Sequence, residues 1–179
     1  DTKLLVLSGA GKHFCSGFDR VSSDQSSPAA MALLGTQIEV LLQLIWNGPF
    51  VTVACVQGSA VGGGADIAVA CDYRLLTPDS VMFFPGYRML GVSLGNRRLS
   101  AVIGPGRAID VILRSKKIRQ DDAIRWGLGI GMRDAGNFRE YIADLERTLG
   151  SIAKQSISML RSRLHGELPE RPARYVPAI

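Results

Sequence analysis

Two glycine-rich turns carry most of the chemistry this sequence could perform. The first spans residues 8–19, Ser-Gly-Ala-Gly-Lys-His-Phe-Cys-Ser-Gly-Phe-Asp, and the second spans 58–66, Gly-Ser-Ala-Val-Gly-Gly-Gly-Ala-Asp. Each directly follows an apolar run that reads as a buried strand, at 3–7 and 51–56. Glycines there let the backbone approach a ligand closely and adopt positive φ. Gly62, Gly63 and Gly64 stand where a helix begins. Their N–H groups then lack intrahelical acceptors and, with the helix dipole, suit an anion.

Competing chemistries lack parts. A dinucleotide GxGxxG would need glycine where Phe14 stands. A Walker A loop would need Ser or Thr where His13 stands, and its four-residue spacer. With only His13 and His165, and no CxxC or HxxxH pair, a metal site has little material, so none is expected. The three cysteines, Cys15, Cys55 and Cys71, lack paired spacing, which argues for a reducing compartment and hence the cytoplasm. No window of about eighteen consecutive apolar residues exists, so no membrane partner is expected. The net charge of +5 is scattered over Arg97, Arg98, 114–117 and 161–174. No basic helix or aromatic-interleaved strand accompanies it. It reads as a solvated surface or a site for a phosphate-bearing small molecule, and not as a nucleic-acid face.

The elements that must position these turns follow from periodicity. Residues 22–28 read as a polar loop, with Ser27 as N-cap and Pro28 at the first helical position. Met31, Leu34, Ile38, Leu41, Leu42 and Ile45 give 29–46 a helical stripe, closed by Asn47, Gly48 and Pro49. Residues 65–71 fit a short buried helix, 73–76 and 81–84 short strands, and 85–96 a loop. Helices are expected at 97–103, 107–113 and 121–126, the last with Gly127 as C-cap, and one long or two shorter helices over 137–164. Beyond Gly166 the chain is proline-rich and expected to be extended. Strands alternating with helices, then helices alone, make an α/β domain with a helical C-terminal region. The 46% apolar and 21% charged composition gives such a chain an ordinary core.

Together the two turns resemble the enoyl-CoA hydratase/isomerase, or crotonase, superfamily. The likeness covers about residues 3–129. It is closest over 56–74, Val-Gln-Gly-Ser-Ala-Val-Gly-Gly-Gly-Ala-Asp-Ile-Ala-Val-Ala-Cys-Asp-Tyr-Arg, and again at Ile124-Arg-Trp-Gly-Leu128. The resemblance implies a spiral of ββα units over 1–130, without the strand–turn–strand unit the family places earlier. It implies a helical, oligomerising region over 131–179, and assembly as homotrimers or hexamers. It implies an acyl-CoA thioester as substrate, coenzyme A as the only cofactor-like group, and an enolate held by the main-chain N–H groups of Phe18 and Gly63. Such donors are preorganised for an oxyanion, and losing one typically costs about 3 kcal/mol of barrier. Lys12, Cys15, Gly17, Gly62 and Tyr87 would line the substrate.

The acid–base pair departs from the family. Family hydratases carry a carboxylate two residues after the triple glycine, usually Glu, and here it is Asp66. They carry a second just after a proline in the next segment, and here Pro85 is followed by Gly86. Adding water across a double bond needs both a base and an acid. One carboxyl suffices to move a proton between carbons, or to activate water for hydrolysis. The reaction is therefore expected to be that of a lyase or isomerase. A family member that binds acyl-CoA or oligomerises with weak or no catalysis is the alternative. Tyr87, Arg88, Ser93 and Asn96 could supply a replacement acid or a substrate contact: Tyr87 reads as an acid or as half-buried packing, and Arg88 as a contact to a substrate carboxylate or as a surface residue. His13 is either an exposed loop residue or a coenzyme A contact. Asp19 and Asp72 read as structural braces, Cys15 and Cys71 as small core fillers, and Trp46 and Trp126 as packing residues.

Overall fold

The computed structural model describes residues 2–18, 28–91 and 94–165. Asp19, Ser27, Ser93 and the proline-rich tail lie outside the described residues.

Four strands form a parallel sheet in the order β1 (Leu4–Ser8), β2 (Val51–Val56), β4 (Tyr73–Leu76) and β7 (Ile130–Gly131). Successive strand residues point to opposite faces. Ala54, Val56 and Leu76 belong to the main core, whereas Val53, Cys55 and Leu75 pack with Phe138, Tyr141, Ile142 and Leu145 of α7 (Asn137–Gly150). Both faces of β2 are thus covered, which is why its apolar run shows no alternation. β1, expected to be buried, is instead the edge strand and only partly covered, with Leu7 packed against the core. A second sheet joins β3 (Ser59–Val61) to β5 (Val81–Phe83) in parallel, and β5 to β6 (Lys117–Arg119) antiparallel.

The helices are α1 (Pro28–Asn47), α2 (Gly63–Ala70), α3 (Gly86–Leu90), α4 (Asn96–Ile103), α5 (Pro105–Arg114), α6 (Gln120–Arg125), α7 and α8 (Lys154–His165). α1 buries Leu42 and Ile45 of the expected stripe, with Ile38 packed against the core, together with Trp46; Leu41, also expected there, is 43% exposed. Gly127 follows α6 with φ +70°, the left-handed conformation a helix end favours. Two further expectations change. The supposed loop at 85–96 contains α3, a single turn too short to show periodicity. The second glycine-rich turn contains β3, masked by its small residues. Of the two arrangements expected for 137–164, the chain takes two helices, broken around 151–153. No described helix is long and apolar enough to cross a membrane.

A buried ion pair pins α8 to the sheet. Nε of Arg161, 5% exposed, donates to both carboxylate oxygens of Asp72 at 3.1 and 2.9 Å. Its terminal nitrogens donate to the carbonyls of Ile45, Trp46 and Gly48, which the end of α1 leaves without helical partners. Asp72 also accepts from the N–H and hydroxyl of Thr52 at 2.7 and 2.9 Å. The His165 ring lies 3.0 Å from Asp72, 2.7 Å from the Trp46 carbonyl, and stacks on Trp46. Asp72 is the structural brace its sequence position suggests.

Candidate active site

The fold lays the first glycine-rich turn along the second. The Phe14 N–H donates to the Gln57 carbonyl at 2.9 Å, and Cys15 pairs in parallel with Ala60. The Cys15 N–H donates to the Ser59 carbonyl at 3.2 Å, and the Cys15 carbonyl accepts from Val61 N–H at 2.9 Å. The Gln57 side-chain amide donates to the carbonyls of Gly9 and Gly11 at 2.7 and 3.2 Å. His13 Nδ1 accepts from Ser59 N–H at 3.2 Å, so this exposed histidine braces the seam. The segment therefore runs beside β3 as an extra strand and ends over the first turn of α2.

Glycine is required where the two segments touch. Gly17 has φ +95° and lies against the Val61 carbonyl. Gly62, with φ +54°, caps α2. A Cβ on Gly64 would fall 2.4 Å from the Cys15 carbonyl oxygen and 2.7 Å from Cys15 Cβ. Gly64→Ala must therefore move backbone, and we expect it to lower stability by about 1–3 kcal/mol. Urea denaturation checks this, and an unchanged midpoint would show that the seam is looser than described. The Phe18 ring reaches the same place, its Cε1 3.8 Å from a notional Gly63 Cβ. The fold thus brings Cys15, Gly17, Phe18, Gly62 and Gly63 together. Lys12 lies at the other end of β3, its carbonyl against Gly58. Tyr87 stands apart on α3, 47% exposed. Gly86 opens α3, so the position where the family carries its second carboxylate has no side chain.

Asp66 sits in the first turn of α2, 6% exposed. A carboxylate favoured by the helix dipole would titrate low. Instead burial pushes the Asp66 carboxyl up to about 7, against the opposing pull of the Gly95 N–H and Arg98. The carboxyl lies against Gly95, the residue that caps α4, where a Cβ would come 2.1 Å from Asp66 Oδ1. That Oδ1 is buried and makes no hydrogen bond. A buried polar atom without a partner is costly and calls for an explanation. Two surface clefts, one lined by Thr2, Lys3 and Glu146 and the other by Pro49, Lys154 and Ser158, involve none of these residues.

Sequence reasoning missed Arg98 and Glu39. Arg98 of α4 is 1% exposed. Its terminal nitrogens donate to the two carboxylate oxygens of Glu39 at 3.1 and 2.7 Å. The available signal was that Glu39 is the sole charged residue of α1.

Residues 1–176 match the family model for enoyl-CoA hydratase/isomerase. An ethylmalonyl-CoA decarboxylase of Gallus gallus is 32% identical over 139 residues, 73% of this chain and 45% of that protein. A probable enoyl-CoA hydratase of Mycobacterium leprae is 32% identical over 130 residues, 71% of this chain and 50% of that protein. The chain thus spans about half the length of these curated relatives. The crystal structure of a candidate enoyl-CoA hydratase/isomerase from Bordetella parapertussis superposes with a TM-score of 0.87 at 27% identity, covering 92% of this chain and 69% of that one.

Proposed function

The chain belongs to the enoyl-CoA hydratase/isomerase family, and on that premise we propose that it binds an acyl-coenzyme A thioester and stabilises its enolate, with Asp66 as the single proton-transfer group. Its architecture is the crotonase-like α/β fold expected from the sequence. The observation that carries the reading is the seam between the two glycine turns, which sets Phe18 beside Gly63 at the start of α2. Main-chain N–H groups of these two residues are the donors for the thioester oxygen. Their geometry depends on backbone and not on side-chain identity, so phenylalanine at position 18 is compatible with the role. Cys15, Gly17 and Gly62 shape the acyl end of the site. Lys12, exposed, serves the coenzyme A phosphates, and Tyr87 borders the acyl group. Coenzyme A arrives with the substrate, and the chemistry we propose needs no further cofactor. A trimer or hexamer remains our expected assembly, supported by the exposed Leu33, Val40 and Leu44 on α1. A native-mass measurement checks it.

The reaction is one that a single carboxyl can complete. In decarboxylation of a 2-alkylmalonyl thioester, the bond between the α-carbon and the carboxylate breaks and its electron pair enters the thioester as an enolate. CO2 leaves, and protonated Asp66 gives its proton to the α-carbon. In 3-enoyl to 2-enoyl isomerisation, ionised Asp66 takes the α-proton and returns it at the γ-carbon. Hydration would also need an activated water, for which Gly86 offers nothing. The name of the avian relative favours the first of these reactions.

The pH profile separates the two. Decarboxylation needs the acid form of Asp66, so its rate falls as pH rises through about 7. Isomerisation needs the base form, so its rate falls as pH drops through the same value. The test supplies ethylmalonyl-CoA, a 3-enoyl-CoA and crotonyl-CoA in parallel and follows CO2 release and 2-enoyl absorbance. We expect CO2 release to dominate. Faster hydration of crotonyl-CoA than either other reaction would overturn the single-carboxyl reading. Binding of all three without turnover would favour the acyl-CoA-binding alternative, which the absent second carboxylate supports.

A further inference from the structure

We infer that Glu39 and Arg98 form a positioning pair in which Glu39 offsets the Arg98 charge, so that the buried Asp66 keeps its proton. The inference rests on the proposed role of Asp66 and extends it to two residues on other helices. Three observations carry it. First, Arg98 lies in the first turn of α4, three residues after Gly95, and Gly95 is the residue pressed against the Asp66 carboxyl. Second, among the described residues the charges that act on Asp66 are Arg98 from α4 and Glu39 from α1. Third, Arg98 and Asp66 each leave one buried atom unpaired: Nε of Arg98, a donor, and Oδ1 of Asp66, an acceptor.

A lone buried guanidinium beside Asp66 would favour the carboxylate and strip the site of its acid. Glu39 prevents this. It takes both terminal nitrogens of Arg98 in a two-pronged contact, a geometry that fixes orientation as well as charge. The pair is then near-neutral as Asp66 meets it, and burial decides the protonation of Asp66. A pair that served only to hold α1 to α4 could sit anywhere along the two helices. This one sits at the turn of α4 that borders the carboxyl.

The test reads Asp66 directly, by 13C NMR titration of aspartate carboxyls, with Asp66→Asn to identify its resonance. Glu39→Gln leaves the Arg98 charge uncompensated, so the Asp66 midpoint falls. Arg98→Met leaves Glu39 as the nearest charge, so the midpoint rises. Each shift should be on the order of one pH unit. The double variant Glu39→Gln/Arg98→Met should titrate between them. The pH limb of kcat should move in the same order while KM stays constant, which a purely structural pair would not produce. Thermal unfolding establishes that each variant is folded, and the half-exposed Glu39 gives the milder substitution should Arg98→Met fail to fold. Unmoved midpoints, or shifts of the same sign in both single variants, overturn the inference. Midpoints that shift as expected in a protein that turns over no thioester uphold the pair and overturn the proposed function.

Discussion

Replacing Asp66 by asparagine should abolish turnover and, above pH 7, make the protein more stable. The two effects share one cause. The carboxyl is buried where an ionised group is poorly solvated, and its titration is raised from 3.8 to about 7. The unfolded chain pays no such penalty. Because the folded value lies above the unfolded one, the stability linked to the protonated form is whole below pH 3.8. It is lost as pH rises, and the loss is complete once pH has passed about 7. A raise of this size corresponds to roughly 4 kcal/mol as an upper figure. Asparagine has nearly the same shape and does not ionise, so its stability curve should be flat across this window. Urea denaturation at pH 4 and pH 8.5 measures the difference, small at the first and a few kcal/mol at the second. Loss of the proton-transfer group should lower kcat by about 10²–10⁴-fold. Parallel stability curves for the two proteins would show that Asp66 is not held protonated by the fold. Undiminished turnover in the variant would remove it from the chemistry.

The rise of stability with loss of function is what a functional carboxyl in a packed helix predicts. Asp66 is surrounded on α2 by Ala65, Ala68, Val69 and Ala70, all buried. A residue selected only for stability there would be apolar. The sequence shows this directly, since Asp66 is the one charge in the run Ala65-Asp-Ile-Ala-Val-Ala70.

Glycine spacing and apolar runs made the two turns, the strands that feed them and the long helix α1 legible. Asp66 was legible from its place after the triple glycine. What sequence could not supply was the angle between elements. Arg98 reads as one of two adjacent arginines until α4 is known to start at Asn96, and only then does its side chain face inward. Glu39 reads as the polar edge of α1 until Arg98 of α4 is known to reach it. β3 and α3 were lost for another reason, since elements of three and five residues are too short to express a period. The brace at Asp72 was foreseen as structural, but its partners lie 89 and 93 positions away at Arg161 and His165, beyond any local pattern. Tyr87 marks the opposite limit. Its position suggested a substrate contact, and the fold leaves it 47% exposed on the single turn of α3.

Asp72→Asn should strongly destabilise the packing of α8 against the rest of the fold. Burial alone would raise this carboxyl. Hydrogen bonds from His165, Arg161 and Thr52 outweigh that and hold it below the usual carboxylate range. Its contribution to stability is therefore present above the ordinary carboxylate pKa and is lost as pH falls through the lowered value, the reverse of Asp66. Asparagine would leave the buried Arg161 charge uncompensated and turn an amide donor toward other donors. The expected loss is about 3–5 kcal/mol. Arg161→Met alone should cost a similar amount, because Asp72 would keep its charge while the carbonyls of Ile45, Trp46 and Gly48 lose their donor. The double variant should cost less than the sum, since it removes both charges together. Chemical denaturation of the four proteins at pH 7 gives the cycle. Strict additivity would mean that α8 is held by packing alone and that the ion pair is incidental. A coupling above about 1 kcal/mol would mean that the charge pair itself ties α8 to the strand start from which β2 and β4 run toward the glycine turns.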